Sequence, residues 1–183
     1  MESPSQSPIR IPDGPSIEVP FSVVIDKREQ KPYKFENLRD NKDWKGRSAR
    51  LIVPTVRATL KTGDYTLADY EDLIILERKS KEDLYQSISQ NRENFVGRLE
   101  RMESFEFAAV IVEASWDDLI VNPPQFTKFA PKSLSRTIDA WMIRYKTRWL
   151  MLPNRDFAEA KTFRLLQRFF IDKQEKENAV KKT

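Results

Sequence analysis

The stretch from 62 to 83, TGDYTLADYEDLIILERKSKED, constrains this chain more than any other. Its run Leu73, Ile74, Ile75, Leu76 is apolar without interruption, as in a central strand covered on both faces. The run ends in Glu77, Arg78 and Lys79. Side chains alternate along a strand, so Glu77 and Lys79 share one face while Leu76 and Arg78 share the other. Upstream, the acid-rich segment 69–72 predicts the turn of a hairpin whose other arm opens at Gly63, Asp64 and Tyr65. Glycine permits a sharp turn before Asp64, and the pairing sets Asp64 close to Glu77. Two carboxylates and a lysine then meet at the rim of a sheet.

Such a trio suits hydrolysis of a phosphodiester. Carboxylates can hold a hard divalent cation, which polarises a phosphoryl oxygen and lowers the pKa of a bound water. The lysine can orient that water or steady the developing charge. The chain has no Cys and no His. Disulfides, thiolate zinc sites, a cysteine nucleophile, a Ser-His-Asp mechanism and a histidine base are all excluded. Any metal must take oxygen ligands, which favours Mg²⁺ or Mn²⁺. The formal net charge of +4 is compatible with nucleic acid without demanding it.

The Asp…Glu-x-Lys arrangement is the signature of the PD-(D/E)xK nuclease superfamily, and a longer match narrows it. Three blocks occur in order: Val24-Ile25-Asp26-Lys27-Arg28-Glu29, then Gly63-Asp64, then Glu77-Arg78-Lys79 followed by Asp83. Together they resemble the nuclease domain of the XPF family of structure-specific endonucleases. The likeness continues through Arg92 and loosely to about Phe170, with one departure at Val96, where many members carry glutamine. The resemblance implies an α/β, restriction-endonuclease-like fold with a mixed central sheet flanked by helices. It implies that Asp64, Glu77 and the Arg78 carbonyl bind Mg²⁺ or Mn²⁺ and that Lys79 positions the attacking water. Asp26, Glu29 and Asp83 would complete the acidic surround, with Asp26 a further metal ligand. Arg28 would meet a phosphate or neutralise the acids, and Arg92 would meet a phosphate or a carboxylate.

The implied activity is endonucleolytic nicking that leaves a 5′-phosphate, at flaps, forks or other branched DNA, in repair or recombination. The helicase or helix-hairpin-helix modules usual in the family do not fit within 183 residues. The expected form is therefore a stand-alone domain similar to the compact nucleases of bacteria and their phages, working in the cytoplasm of the bacterium or infected cell. A homodimer formed through late elements, or a protein partner, is a further implication. Two rival readings are a catalytically silent DNA-binding subunit and a sequence-specific restriction enzyme.

Along the chain, 1–20 is rich in Pro and Ser and predicts a flexible arm. A single nuclease domain is expected over 21–173, and a charged, frayed tail over 174–183. Residues 21–25 predict a strand that delivers Asp26. The polar connection 38–50 mixes Lys42, Lys45, Arg47 and Arg50 with Trp44, a composition that suits DNA contacts. Residues 51–55 and 56–60 are rich in strand formers. A helix starts at Ser80 with Asp83 in the position of a capping box, and Leu84, Ile88, Phe95, Leu99 and Met102 continue its apolar stripe. A buried strand over 107–113, a helix from 132 or 133 to about 145, a strand over 148–152 and a helix over 156–173 follow. Trp116, Trp141 and Trp149 are expected in the core. No run reaches the length of a membrane span, and no signal peptide is evident.

Overall fold

The computed structural model describes residues 16–40, 48–125, 127 and 129–181. Strands β1 (Ser16–Glu18) and β3 (Arg50–Ile52) pair in parallel as a small separate sheet. The main sheet takes β2 (Val23–Asp26), β4 (Thr55–Ala58), β5 (Tyr65–Leu67), β6 (Ile74–Lys79), β7 (Phe107–Val112) and β8 (Arg148–Met151), in the order β4-β2-β5-β6-β7-β8. Its centre is mixed. β2 and β5, and β5 and β6, are antiparallel, whereas β6, β7 and β8 run parallel. This is the mixed, helix-flanked sheet expected from the sequence. Among the described residues no helix is long and apolar enough to cross a membrane.

Strand β6 lies in the interior because both of its faces are covered. Ile75 joins one core with Leu84, Ile88, Phe95, Leu99, Ile138 and Trp141, from α1 (Lys81–Ile88), α2 (Arg92–Met102) and α4 (Pro131–Arg144). Ile74 and Leu76 join the other core with Tyr33, Phe35, Phe163 and Leu166, the last two from α5 (Arg155–Val180). A short α3 (Trp116–Val121) adds Leu119 to the first core. The alternation that sends apolar side chains to opposite layers also divides the polar end of β6 between them.

Several boundaries differ from the sequence expectation. Ser16–Glu18 is a strand, so the arm cannot extend to residue 20, and residues 1–15 lie outside the described ones. Lys42, Trp44, Lys45 and Arg47 also lie outside them, and only Arg50 of that basic set is described, exposed on β3. Helix α5 runs to Val180, so most of the expected frayed tail is helical. Its Phe163 and Leu166 are buried and Phe169 and Phe170 pack against the same core, leaving Phe157 as the exposed aromatic of the group. The helix begun at Ser80 is not continuous, since it ends at Ile88 and a second starts at Arg92. Trp116 is 38% exposed rather than core, because it opens the short α3 at the surface. Trp141 and Trp149 are buried and stacked, with ring centroids 6.0 Å apart.

Candidate active site

A cleft of about 750 Å³ opens at the end of β6, lined by residues of β2, the Gly63 turn, β6 and α2. Gly63 takes φ +72°, and a Cβ there would lie 2.3 Å from Ile75 Cγ1. Only glycine lets the turn press this closely on β6. The Asp64 N–H donates to the Leu76 carbonyl at 2.9 Å, and the Arg78 N–H donates to Asp64 Oδ2 at 2.7 Å. The hairpin thus locks Asp64 beside Glu77, the proximity read from the sequence.

Glu77 is fully buried. Its Oε1 receives Lys79 Nζ at 2.9 Å and Arg98 Nη1 at 2.6 Å. Its Oε2 is buried without a hydrogen-bond partner. Lys79 is held in turn, with its ammonium 4.7 Å from the centroid of the Phe95 ring. Burial pushes the Asp64 carboxyl well above the usual range, and the negative charge of Glu77 adds to the effect. The site therefore holds two crowded carboxylates and one orphaned oxygen, which is the donor chemistry a hard divalent cation requires. Among the described residues no three acidic side chains form a metal cluster. The residues that fit an ion are Asp64 and Glu77, with the Arg78 carbonyl available as the main-chain donor between Glu77 and Lys79.

Asp26 borders the cleft in a different state. Its Oδ1 accepts from the Arg28 N–H at 2.7 Å and Arg28 Nε at 2.8 Å, and its Oδ2 from Arg28 Nη2 at 3.0 Å and the Leu60 N–H at 2.8 Å. Both oxygens are committed, so the geometry makes Asp26 a brace for Arg28 and Leu60 rather than an open metal donor. The expected neutralisation by Arg28 falls on Asp26. Glu29 lies toward the opposite layer, with its Oε1 accepting from the Lys31 N–H at 2.6 Å and standing 3.5 Å from Arg78 Nη1. Asp83 is exposed at the cleft, and its N–H donates to Ser80 Oγ at 3.1 Å, as a cap should.

Arg92 does not enter the site. Its guanidinium lies 5.0 Å from the Trp141 ring centroid. The break before α2 resets the helix phase, and Arg98 faces Glu77 instead. Val96 packs against the first core. A second ion network also escaped sequence reasoning. Arg78 Nε and Nη2 each donate to Glu113 at 2.7 Å, and Arg155 Nη1 donates to Glu113 Oε1 at 2.9 Å. Arg155 also donates to the Lys31 and Pro32 carbonyls, and its guanidinium sits 4.8 Å from the Tyr33 ring centroid. The one sequence signal for Glu113 was a carboxylate closing a buried strand beside another that closes in charge.

The mixed sheet flanked by helices, whose central strand carries Glu77 and Lys79 to the cleft, matches the fold of an XPF nuclease. The chain belongs to the ERCC4 domain family, whose model matches residues 25–163. XPF from Aeropyrum pernix shares the fold at a TM-score of 0.58 and 20% identity, over 80% of this chain and 60% of that one. XPF from Aeropyrum pernix in complex with DNA gives 0.57 and 23%, over 83% and 66%. The chain thus spans less than two thirds of the first of these proteins and about two thirds of the second. No curated protein sequence matches it.

Proposed function

We propose that the chain is a divalent-metal-dependent DNA endonuclease acting on branched, flapped or forked DNA in repair or recombination. The observation that carries this reading is the buried Glu77, with Lys79 on one oxygen, the other unpaired, and Asp64 crowded beside it. Family membership supports the nuclease activity, and the relative solved in complex with DNA supports DNA as the substrate.

Asp64, Glu77 and the Arg78 carbonyl would hold Mg²⁺ or Mn²⁺, which supplies Lewis acidity and a water of lowered pKa when bound. Lys79, fixed between Glu77 and the Phe95 ring, orients the water toward phosphorus opposite the leaving 3′-oxygen. The new bond joins water oxygen to phosphorus as the bond to the 3′-oxygen breaks, and the water proton ends on the leaving strand. The 5′-phosphate stays on the other fragment. Asp26 and Arg28 keep the Leu60 backbone in place beside the Gly63 turn.

The test is cleavage of end-labelled fork, flap and plain duplex DNA with Mg²⁺, Mn²⁺ or EDTA. Wild type should cut branched DNA only with metal, and Asp64→Ala should lose several powers of ten in rate. Equal cutting by the variant, or cutting in EDTA, would overturn the reading.

A further inference from the structure

Two cations share Glu77 Oε1, and they are not held alike. Lys79 is 12% exposed and packed on the Phe95 ring. Arg98 is 38% exposed, projects from α2 into the open cleft, and has Arg101 one turn further along on the same lining. Glu77 Oε2 is left for a third positive partner. One carboxylate cannot neutralise an ammonium, a guanidinium and a divalent ion together, so the least anchored of them leaves when the third arrives.

We infer that Arg98 is a hand-over residue that couples metal occupancy of the site to capture of a DNA phosphate. The inference rests on the metal-dependent reading above. Without metal, Arg98 is tied to Glu77 and withheld from the substrate. With Glu77 and Asp64 engaged by the ion, the guanidinium swings into the cleft beside Arg101. There its planar donors match two oxygens of a phosphate. Arg98 is thereby a positioning residue whose charge becomes available to DNA only once the site is loaded.

The consequence is reciprocal: metal should tighten DNA binding and DNA should tighten metal binding. The test uses the whole chain as wild type, Arg98→Gln and Arg98→Lys, with Asp64→Ala as control. Mn²⁺ binding to the free protein is measured by calorimetry. Affinity for a labelled fork is measured by fluorescence anisotropy in EDTA and in Ca²⁺, with gels to verify that the fork stays intact. In wild type Ca²⁺ should tighten fork binding about tenfold, within the usual range of coupling between sites. Arg98→Gln should bind Mn²⁺ more tightly, by about tenfold, because its competitor for Glu77 is gone. Its gain from Ca²⁺ should shrink to about twofold or less, with Arg98→Lys in between.

Coupling that survives Arg98→Gln in a wild type that binds Mn²⁺ and cuts DNA would overturn this inference alone. Weaker Mn²⁺ binding in Arg98→Gln would do the same, since Arg98 would then only prop Glu77. A wild type that takes up no Mn²⁺ would sink the metal-dependent reading and the inference with it.

Discussion

Asp26 and Asp64 stand at one cleft and are pushed in opposite directions. Burial alone would raise the pKa of Asp26, but hydrogen bonds from Arg28 and the Leu60 N–H outweigh it and hold the carboxyl at about 2. That lies below the ordinary 3.8, so Asp26 contributes stability that is fully present above that value and is lost as pH falls through 2. The difference corresponds to about 2 kcal/mol. Asp26→Asn should lower stability at neutral pH by about that amount and flatten the acid limb, as measured by urea unfolding at pH 7 and pH 3. Asp64 is instead destabilised by burial and by Glu77. Asp64→Asn removes one of two repelling charges, so its metal-free melting temperature should exceed that of wild type by about 3 °C. Mn²⁺ should raise the melting temperature of wild type and leave Asp64→Asn unmoved, a contrast that calorimetric scans would read directly.

At the scale of elements, strand β6 was legible because its information is local. The period of two put Glu77 and Lys79 together, and the hairpin brought Asp64 to Glu77. Arg98 was not legible. Leu84, Ile88, Phe95, Leu99 and Met102 keep an apolar spacing that one continuous helix would also satisfy, so nothing local betrayed the break between Ile88 and Arg92. Glu113 and Arg155 stayed hidden for another reason: Glu113 meets Arg78 across 35 residues of chain and Arg155 across 42, and both pairings exist only once β7 and α5 have docked. The network is also where β6 is most exposed to damage. Arg78 and Glu113 side chains are 7% and 8% exposed. Glu113→Ala leaves the Arg78 guanidinium buried without its bidentate partner, at a cost of about 3–5 kcal/mol in chemical unfolding. Loss of less than about 1 kcal/mol would mean that Glu29 takes over the charge.

Across the whole molecule, the two cores meet the cleft from opposite sides of one sheet. Arg155, the first residue of α5, clamps Glu113 and the carbonyls of Lys31 and Pro32, so the closing helix braces a wall of the site formed early in the chain. The net charge of +4 is small, so under the proposed function DNA affinity would come from local cations such as Arg98, Arg101 and Lys61 at the cleft rather than from the global field. Binding of a fork should still weaken at least about tenfold between 50 and 200 mM salt, read from anisotropy titrations. The alternation along β6 also has a genetic consequence. Substitutions can be tried there one residue at a time, because each side chain answers to a single layer. Insertion or deletion of one residue would exchange the layers, sending Arg78 among the acids and Glu77 toward Glu113. Drift in this strand is therefore confined to changes of letter, and length variation should accumulate in the hairpin turn and the connections around it.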